Sequence, residues 1–64
     1  MKRVGLIGLG NLGSAIGANL IGAGHEVIGY RRSSMKAFVA MGGVAGKSPK
    51  DVAERADVVL VCLP

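Results

Sequence analysis

In the stretch LIGLGNLGSAIG, the glycines at positions 8, 10 and 13 mark the junction between an apolar run and the segment that follows it. Their spacing, G-x-G-x-x-G, combines a tight turn, a close approach of phosphate to bare backbone, and close packing of a helix on a strand. The free N–H groups and partial positive charge at the start of that helix favour phosphates. A turn without a ligand is the alternative, but it needs one glycine rather than three. The predicted dinucleotide site at this junction consists of Gly8, Gly10, Asn11, Leu12 and Gly13.

A basic turn follows the next apolar segment, EVIGY, and indicates which dinucleotide is bound. NAD sites usually carry an Asp or Glu about 20 residues after the glycines, where it bonds the ribose 2′-hydroxyl. Here no acid occurs between Glu26 and Asp51, and the expected position holds Arg31, Arg32 and Ser33. Arginine is well suited to forked recognition of phosphate. We therefore predict that these three residues bind the 2′-phosphate of NADP, with NAD disfavoured. The alternative is a solvated pair of loop arginines.

The composition excludes several other classes of function. The chain has 64 residues, a net charge of +4, one Cys and 50% hydrophobic residues. A single Cys permits no internal disulfide and no multi-Cys metal site, which fits a reduced, cytoplasmic setting. No apolar run approaches the roughly 20 residues of a membrane span. The basic residues cluster locally rather than along one face, which argues against a nucleic-acid partner. We predict no metal site, no membrane span and no nucleic-acid binding.

Apolar patterns of two kinds alternate along the chain. Short continuous apolar runs are typical of strands buried on both faces, and apolar residues at i, i+3 and i+4 are typical of amphipathic helices. This alternation predicts an α/β fold, a Rossmann-type parallel sheet with four strands and three helices. We expect it to be truncated relative to a full domain, because the chain stops after a strongly apolar strand whose edge is left open. The predicted strands are 3–8, 26–30, 44–45 and 57–64, and the predicted helices are 11–23, about 35–41 and one that begins at residue 49.

Polar residues and glycine at the segment ends predict where the helices begin and end. Gly24 suits a left-handed turn after the first helix. Ser33 and Ser34 are predicted to cap the second helix. Ser48 and Asp51, separated by three positions around a proline, are typical of a capped start for the third helix.

Together these segments resemble one known family. The stretches VGLIGLGNLGSAIGANLIGAGHEVIGYRRS and GGVAGKSPKDVAERADVVLVCLP are similar to the β-hydroxyacid dehydrogenases, among them 3-hydroxyisobutyrate dehydrogenase, tartronate semialdehyde reductase and 6-phosphogluconate dehydrogenase. The family has Asn-Arg-Ser/Thr at the basic turn. Arg32 and Ser33 match that pattern, whereas Arg31 stands where Asn is usual. The resemblance implies that the closing segment borders the central part of the cofactor, which adds Cys62, Leu63 and Pro64 to the predicted site. For Cys62, a buried strand residue is favoured over a cofactor contact.

The resemblance also implies what the chain does. Residues 1–64 would be the N-terminal part of a dinucleotide-binding domain, and the helical catalytic domain would be absent. The parent enzyme would transfer hydride between NADP(H) and a small 3-hydroxy acid and its oxo form, as an NADP-dependent dehydrogenase. We predict no catalytic residue in this chain and expect it to be inactive alone. The family's catalytic Lys matches none of Lys2, Lys36, Lys47 and Lys50, and His25 is interpreted as structural.

Three further interpretations are kept open. The fingerprint also resembles pyrroline-5-carboxylate reductase and the F420-dependent NADP reductases. A third interpretation is a non-catalytic module that binds a dinucleotide or self-associates. We expect a homo-oligomer, with the open strand edge near residues 57–63 as one route to association.

Overall fold

The computed structural model describes residues 2–8, 11–32 and 34–61. Strands and helices alternate without exception in this part of the chain, which confirms the predicted α/β fold. The parallel four-stranded sheet confirms the Rossmann-type arrangement. The elements are β1 (Arg3–Ile7), α1 (Asn11–Gly22), β2 (Glu26–Tyr30), α2 (Lys36–Ala40), β3 (Val44–Ala45), α3 (Pro49–Arg55) and β4 (Val58–Val61).

The order of the strands places the two predicted binding junctions side by side. The order is β3-β2-β1-β4, and every pair is parallel. Ile7, the last residue of β1, lies opposite Tyr30, the last residue of β2. The chain therefore leaves both strands at the same edge of the sheet. Among the described strands β4 pairs with β1 alone, so its other side is an open edge.

One face of the sheet carries the hydrophobic core. Leu6, Val27 and Phe38 are buried there, and Ile16 and Leu20 of α1 pack against them. Burial of these side chains holds α1 against β1 and β2. The start of α1 is thereby placed near the carboxyl ends of these strands.

Helix α1 approaches the sheet through a glycine that the fingerprint does not include. A Cβ on Gly17 would lie 3.2 Å from Leu6 Cδ1 and 3.3 Å from Phe38 Cε1. Gly13, one turn earlier in the same helix, is also buried. Close packing of α1 thus involves Gly17, and the packing role of Gly13 stays a prediction.

Helix α3 covers the opposite face of the sheet. Successive strand residues point to opposite faces, so Gly5 faces away from the core of Leu6. A Cβ on Gly5 would lie 2.7 Å from Val52 Cγ1 and 3.0 Å from Ala56 Cβ. Val52 is fully buried. The absence of a side chain at Gly5 allows this close contact. With α1 on one face and α3 on the other, the sheet has helices on both faces.

Two of the predicted helix ends are confirmed. Gly24 has φ of 91°, and the backbone N–H groups of Gly24 and His25 donate to the carbonyls of Ile21 and Leu20, each at 3.0 Å. This pair of bonds is the Schellman arrangement, which satisfies the last carbonyls of α1. At α3, Ser48 Oγ accepts a hydrogen bond from the Asp51 backbone N at 3.0 Å.

Helix α2 begins at Lys36, within one residue of the predicted start, but the predicted cap at Ser34 was wrong. The residue at the N-cap position is Met35, and it makes no side-chain capping bond. Ser34 Oγ instead accepts a 3.3 Å hydrogen bond from the Lys36 backbone N. The other predicted cap, Ser33, lies outside the described residues. The carbonyl of Ser34 is engaged by Arg31, and this contact shapes the turn before α2.

Candidate functional site

The first junction has the backbone geometry that the glycine fingerprint predicts. Gly8 has φ of 85°, a region that L side chains rarely adopt. Its N–H donates a 3.0 Å hydrogen bond to the Tyr30 carbonyl, which ties the end of β1 to the end of β2. Helix α1 begins three residues later, at Asn11. The chain therefore turns sharply out of β1 and enters a helix at the sheet edge, as a diphosphate site requires.

Several residues predicted for the site lie outside the described part of the chain. Asn11 and Leu12 belong to the first turn of α1, but the structure describes only their backbone. Their contact with a cofactor stays a prediction, as does that of the residues without description: Gly10, Ser33, Cys62, Leu63 and Pro64.

The two arginines of the second junction have different surroundings. Arg31 is half-buried, and its Nε donates a 2.8 Å hydrogen bond to the Ser34 carbonyl, which also accepts from Arg31 Nη2. Arg32 is exposed and makes no side-chain hydrogen bond or ion pair with any of the residues in 2–8, 11–32 and 34–61. Arg32 is therefore available to an anion, whereas Arg31 is already engaged with the protein.

A groove joins the two junctions. It has a volume of about 430 Å³, within the range typical of ligand sites. Two of its residues come from the first junction and three from the end of β2 and the turn after it, and Pro49 adds the start of α3 as a further wall. Its lining is Ile7, Gly8, Tyr30, Arg31, Arg32 and Pro49.

Three of these lining residues were missed by sequence reasoning. Ile7 and Tyr30 were assigned to strands, and Pro49 was assigned only to the start of a helix. A usable signal was present for Pro49. In a parallel sheet every helix starts at the edge where the preceding strand ends, so α3 begins at the same edge as the site. How close the start of α3 lies to the site depends on the strand order, which places β3 beside β2.

The charge of the groove suits a phosphate. Two guanidinium groups line it, and no carboxylate does so among the residues described. The described part of the chain also contains no group of three His, Cys, Asp or Glu that could hold a metal ion. Phosphate binding at this groove would therefore depend on backbone N–H groups and arginine.

Charged residues at the opposite edge of the sheet pair with one another. Arg3 Nε lies 3.7 Å from Glu26 Oε2, and the Arg3 backbone N donates to Asp57 Oδ2 at 3.0 Å. The Asp57 N–H returns a 2.8 Å hydrogen bond to the Arg3 carbonyl. These contacts join the amino ends of β1, β2 and β4. Two cavities there, of about 220 and 500 Å³, carry both signs of charge, unlike the groove.

His25 also lies at that opposite edge, immediately before β2. Its Nδ1 is buried without a hydrogen-bond partner in the described part of the chain. Because β2 separates it from the turn at Arg31, His25 is not part of the groove.

Comparison with known proteins decides the family. Residues 3–64 match the family described as the NAD binding domain of 6-phosphogluconate dehydrogenase. The chain belongs to this family. The assignment agrees with the glycine turn at Gly8, the parallel sheet and the resemblance to β-hydroxyacid dehydrogenases. It establishes that the fold is a nicotinamide-dinucleotide-binding domain of an oxidoreductase family.

Individual relatives support the same family. The chain is 38% identical to the NAD-dependent L-serine dehydrogenase of Pseudomonas aeruginosa over 66 residues, covering 100% of the chain and 22% of that protein. It is 42% identical to a probable mitochondrial 3-hydroxyisobutyrate dehydrogenase of Arabidopsis thaliana over 65 residues, covering 98% of the chain and 19% of that protein. The chain thus spans about a fifth of the length of these relatives.

A solved structure shows the same fold. An imine reductase from Streptomyces aurantiacus superposes with a TM-score of 0.90 at 30% identity, covering 97% of this chain and 23% of that one. The four strands and three helices described here therefore correspond to a segment of a larger reductase.

In the described part of the chain, no helix combines the length and the apolar character that crossing a bilayer requires.

Proposed function

We propose that this domain binds NADP(H) in preference to NAD(H). The observation that carries the proposal is Arg32, an exposed arginine that lines the same groove as Gly8, in a groove with no described carboxylate. An NAD site places an acid at the end of the second strand, to bond the ribose 2′-hydroxyl. Here the nearest acid on β2 is Glu26, at the other end of the strand and beside Arg3.

Each part of the groove has a proposed partner in the cofactor. The diphosphate lies at the turn after Gly8, against the start of α1. The 2′-phosphate is bound by Arg32 and Ser33, with Arg31 adding positive charge. The apolar surfaces of Ile7, Tyr30 and Pro49 accommodate the adenine ring. The nicotinamide supplies the hydride chemistry, and this chain binds and orients the cofactor.

For the longer parent protein we propose reversible hydride transfer between NADP(H) and a small 3-hydroxy acid or its oxo form. The similarity to a protein named 3-hydroxyisobutyrate dehydrogenase supports this substrate class. The closing segment, with Cys62, Leu63 and Pro64, is proposed to border the central part of the cofactor. The 64-residue chain by itself is proposed to have no dehydrogenase activity. We propose a cytoplasmic location, supported only by the single Cys.

Reduction of a C=N bond is the second candidate. It is favoured by the superposition on a protein named imine reductase, and it is the chemistry expected if the parent is like pyrroline-5-carboxylate reductase. The groove does not distinguish the two reactions, because both use the same dinucleotide. Turnover of the longer parent with a hydroxy acid and with a cyclic imine separates them.

The NADP proposal is tested with Arg32→Ala. A hydrogen bond to a charged group contributes about 1.5–3 kcal/mol, and exposure of Arg32 places the expected loss in the lower half of that range. We expect NADPH to bind about 13- to 45-fold more weakly, and NADH to bind as it does to the unmodified chain. Isothermal titration calorimetry at constant ionic strength measures both.

Lys36→Ala is the matched control. It removes the same charge from an exposed position on α2 that does not line the groove. We expect its effect on NADPH to be less than about threefold, as for exposed charges outside a direct contact. Equal losses in the two variants, or an equal loss of NADPH and NADH in Arg32→Ala, would contradict the proposed role of Arg32.

A further inference from the structure

The turn after β2 is closed by a side-chain contact of Arg31. Its Nε and Nη2 both donate to the carbonyl of Ser34, three residues along the chain. We call this pair of hydrogen bonds the Arg31 clamp. Residues 32 and 33 are the only positions between its two ends.

We propose that Arg31 is a positioning residue, whose clamp presets the turn that presents Arg32 to a 2′-phosphate. This inference rests on the proposed preference for NADP(H). It assigns the two arginines different tasks: Arg32 contacts the ligand, and Arg31 acts through the shape of the turn.

The chemistry of the clamp supports this division. A carbonyl oxygen has two lone pairs and can accept both N–H groups of one planar guanidinium edge. Bonds from a charged donor are shorter and stronger than those between neutral groups. The fork is rigid, so Arg31 holds the Ser34 carbonyl in one orientation with little further loss of side-chain freedom. A lysine side chain carries the same charge but lacks the planar edge with two fixed N–H donors.

The neighbouring contacts fix both ends of the turn. The Tyr30 carbonyl accepts the Gly8 N–H at 3.0 Å, which anchors the residue before the clamp to the first junction. Ser34 Oγ accepts the Lys36 N–H, which anchors the residue at its far end to α2. The path of Arg32 is therefore constrained before any ligand arrives. A ligand that binds a preformed turn does not have to order it, and this increases affinity.

The sharpest test weakens the acceptor and leaves every side chain in place. The 64-residue chain is short enough for chemical synthesis. Replacing Met35 by its α-hydroxy acid turns the peptide bond between residues 34 and 35 into an ester, whose carbonyl is a poorer acceptor. Within the described residues the Met35 N–H donates no hydrogen bond, so its loss removes no other contact among them. Arg31→Lys is the second variant, with the charge kept and the fork lost.

The probes are 2′,5′-ADP and 5′-AMP, which differ only in the 2′-phosphate. Calorimetry should show both variants binding 2′,5′-ADP about fivefold more weakly than the unmodified chain, with 5′-AMP unchanged, as expected for a loss of preorganisation. The dependence of log K on log salt should stay the same, because no charge is removed. A direct ionic contact of Arg31 predicts otherwise: the ester would bind 2′,5′-ADP as well as the unmodified chain or better.

The result that overturns the clamp is undiminished affinity of the ester chain for 2′,5′-ADP, while the unmodified chain still prefers 2′,5′-ADP over 5′-AMP. Failure of the underlying NADP proposal is distinct. In that case the unmodified chain itself shows no preference for 2′,5′-ADP, and the positioning role falls with it. Circular dichroism melts of all three chains identify any loss of affinity that comes from unfolding, and Lys36→Ala again serves as the charge control.

Discussion

Substitution of Gly17 by Ala tests how α1 is held over the sheet, and two opposing effects decide its outcome. In an exposed helix position Ala is more favourable than Gly by about 0.8–1.0 kcal/mol. Here the new methyl group would lie 3.2 Å from Leu6 Cδ1 and 3.3 Å from Phe38 Cε1. Leu6 is 0% exposed and Phe38 is 3% exposed, so neither can swing into solvent. Overpacking of this kind costs about 1–3 kcal/mol.

The packing cost should therefore exceed the gain in helix propensity. We expect Gly17→Ala to lower the free energy of unfolding by about 1 kcal/mol, the difference between those two ranges. Gly22→Ala is the matched control, since a Cβ there has no atom within 4 Å. It lies in the same helix, near its end, and should be neutral or stabilising by up to about 0.5 kcal/mol.

Urea and thermal unfolding followed by circular dichroism provide the measurement. A difference of 1 to 1.5 kcal/mol between the two variants corresponds to about 4–12 °C in Tm for a chain of this size. Leu6→Val, which shortens the side chain that meets the new methyl, should cost less in the Gly17→Ala background than in the unmodified chain. Equal stability of the Gly17 and Gly22 variants, or strict additivity with Leu6→Val, would refute the packing argument.

Three more predictions follow from the cap of α3, the first turn and the open edge. The Lys47 backbone N–H donates to Asp51 Oδ2 and lowers the pKa of Asp51, with Arg55 assisting. Ionised Asp51 therefore stabilises the fold fully at neutral pH, and this contribution is lost as the pH falls below about 4. In Asp51→Asn the urea midpoint of unfolding should decrease less between neutral and acidic pH than in the unmodified chain. An equal decrease in both chains would contradict this. Gly8→Ala, at φ of 85°, should cost about 1–2 kcal/mol of stability and weaken NADPH and NADH alike in calorimetry; a selective loss of NADPH would count against the turn's assigned role. We also propose self-association through β4, where Val61 is 63% exposed. Sedimentation equilibrium should show association that Val61→Lys reduces, and a monomer at all concentrations would exclude it.

The overall fold could be predicted from the sequence because its signals are local. Apolar runs, helical spacing and the glycine after β1 each act within a few residues, and the parallel order follows from their alternation. The left-handed turn at Gly24 and the Ser48 cap are equally local, and the structure has both. Such signals need no knowledge of what lies across the sheet.

The remaining features depend on contacts between distant segments or on the path of one turn. In the sequence Gly17 is only a poor helix former. The structure shows that a Cβ there would lie 3.3 Å from Phe38 Cε1, which belongs to another helix. Pro49 joins the groove because β3 lies beside β2. Ser34 does not cap α2, and its carbonyl accepts from Arg31 instead. A string of basic and hydroxyl residues does not reveal which donor takes which acceptor.

Mapping of backbone amide shifts by NMR, during titration of the 64-residue chain with NADH and then with NADPH, tests the central claim most directly. We predict that NADH shifts the amides of residues 8–13, and that NADPH shifts these and also residues 31–34, at lower concentration. Shifts confined to the opposite edge of the sheet, around Arg3, Glu26 and Asp57, or the same pattern and affinity for both dinucleotides, would contradict the account.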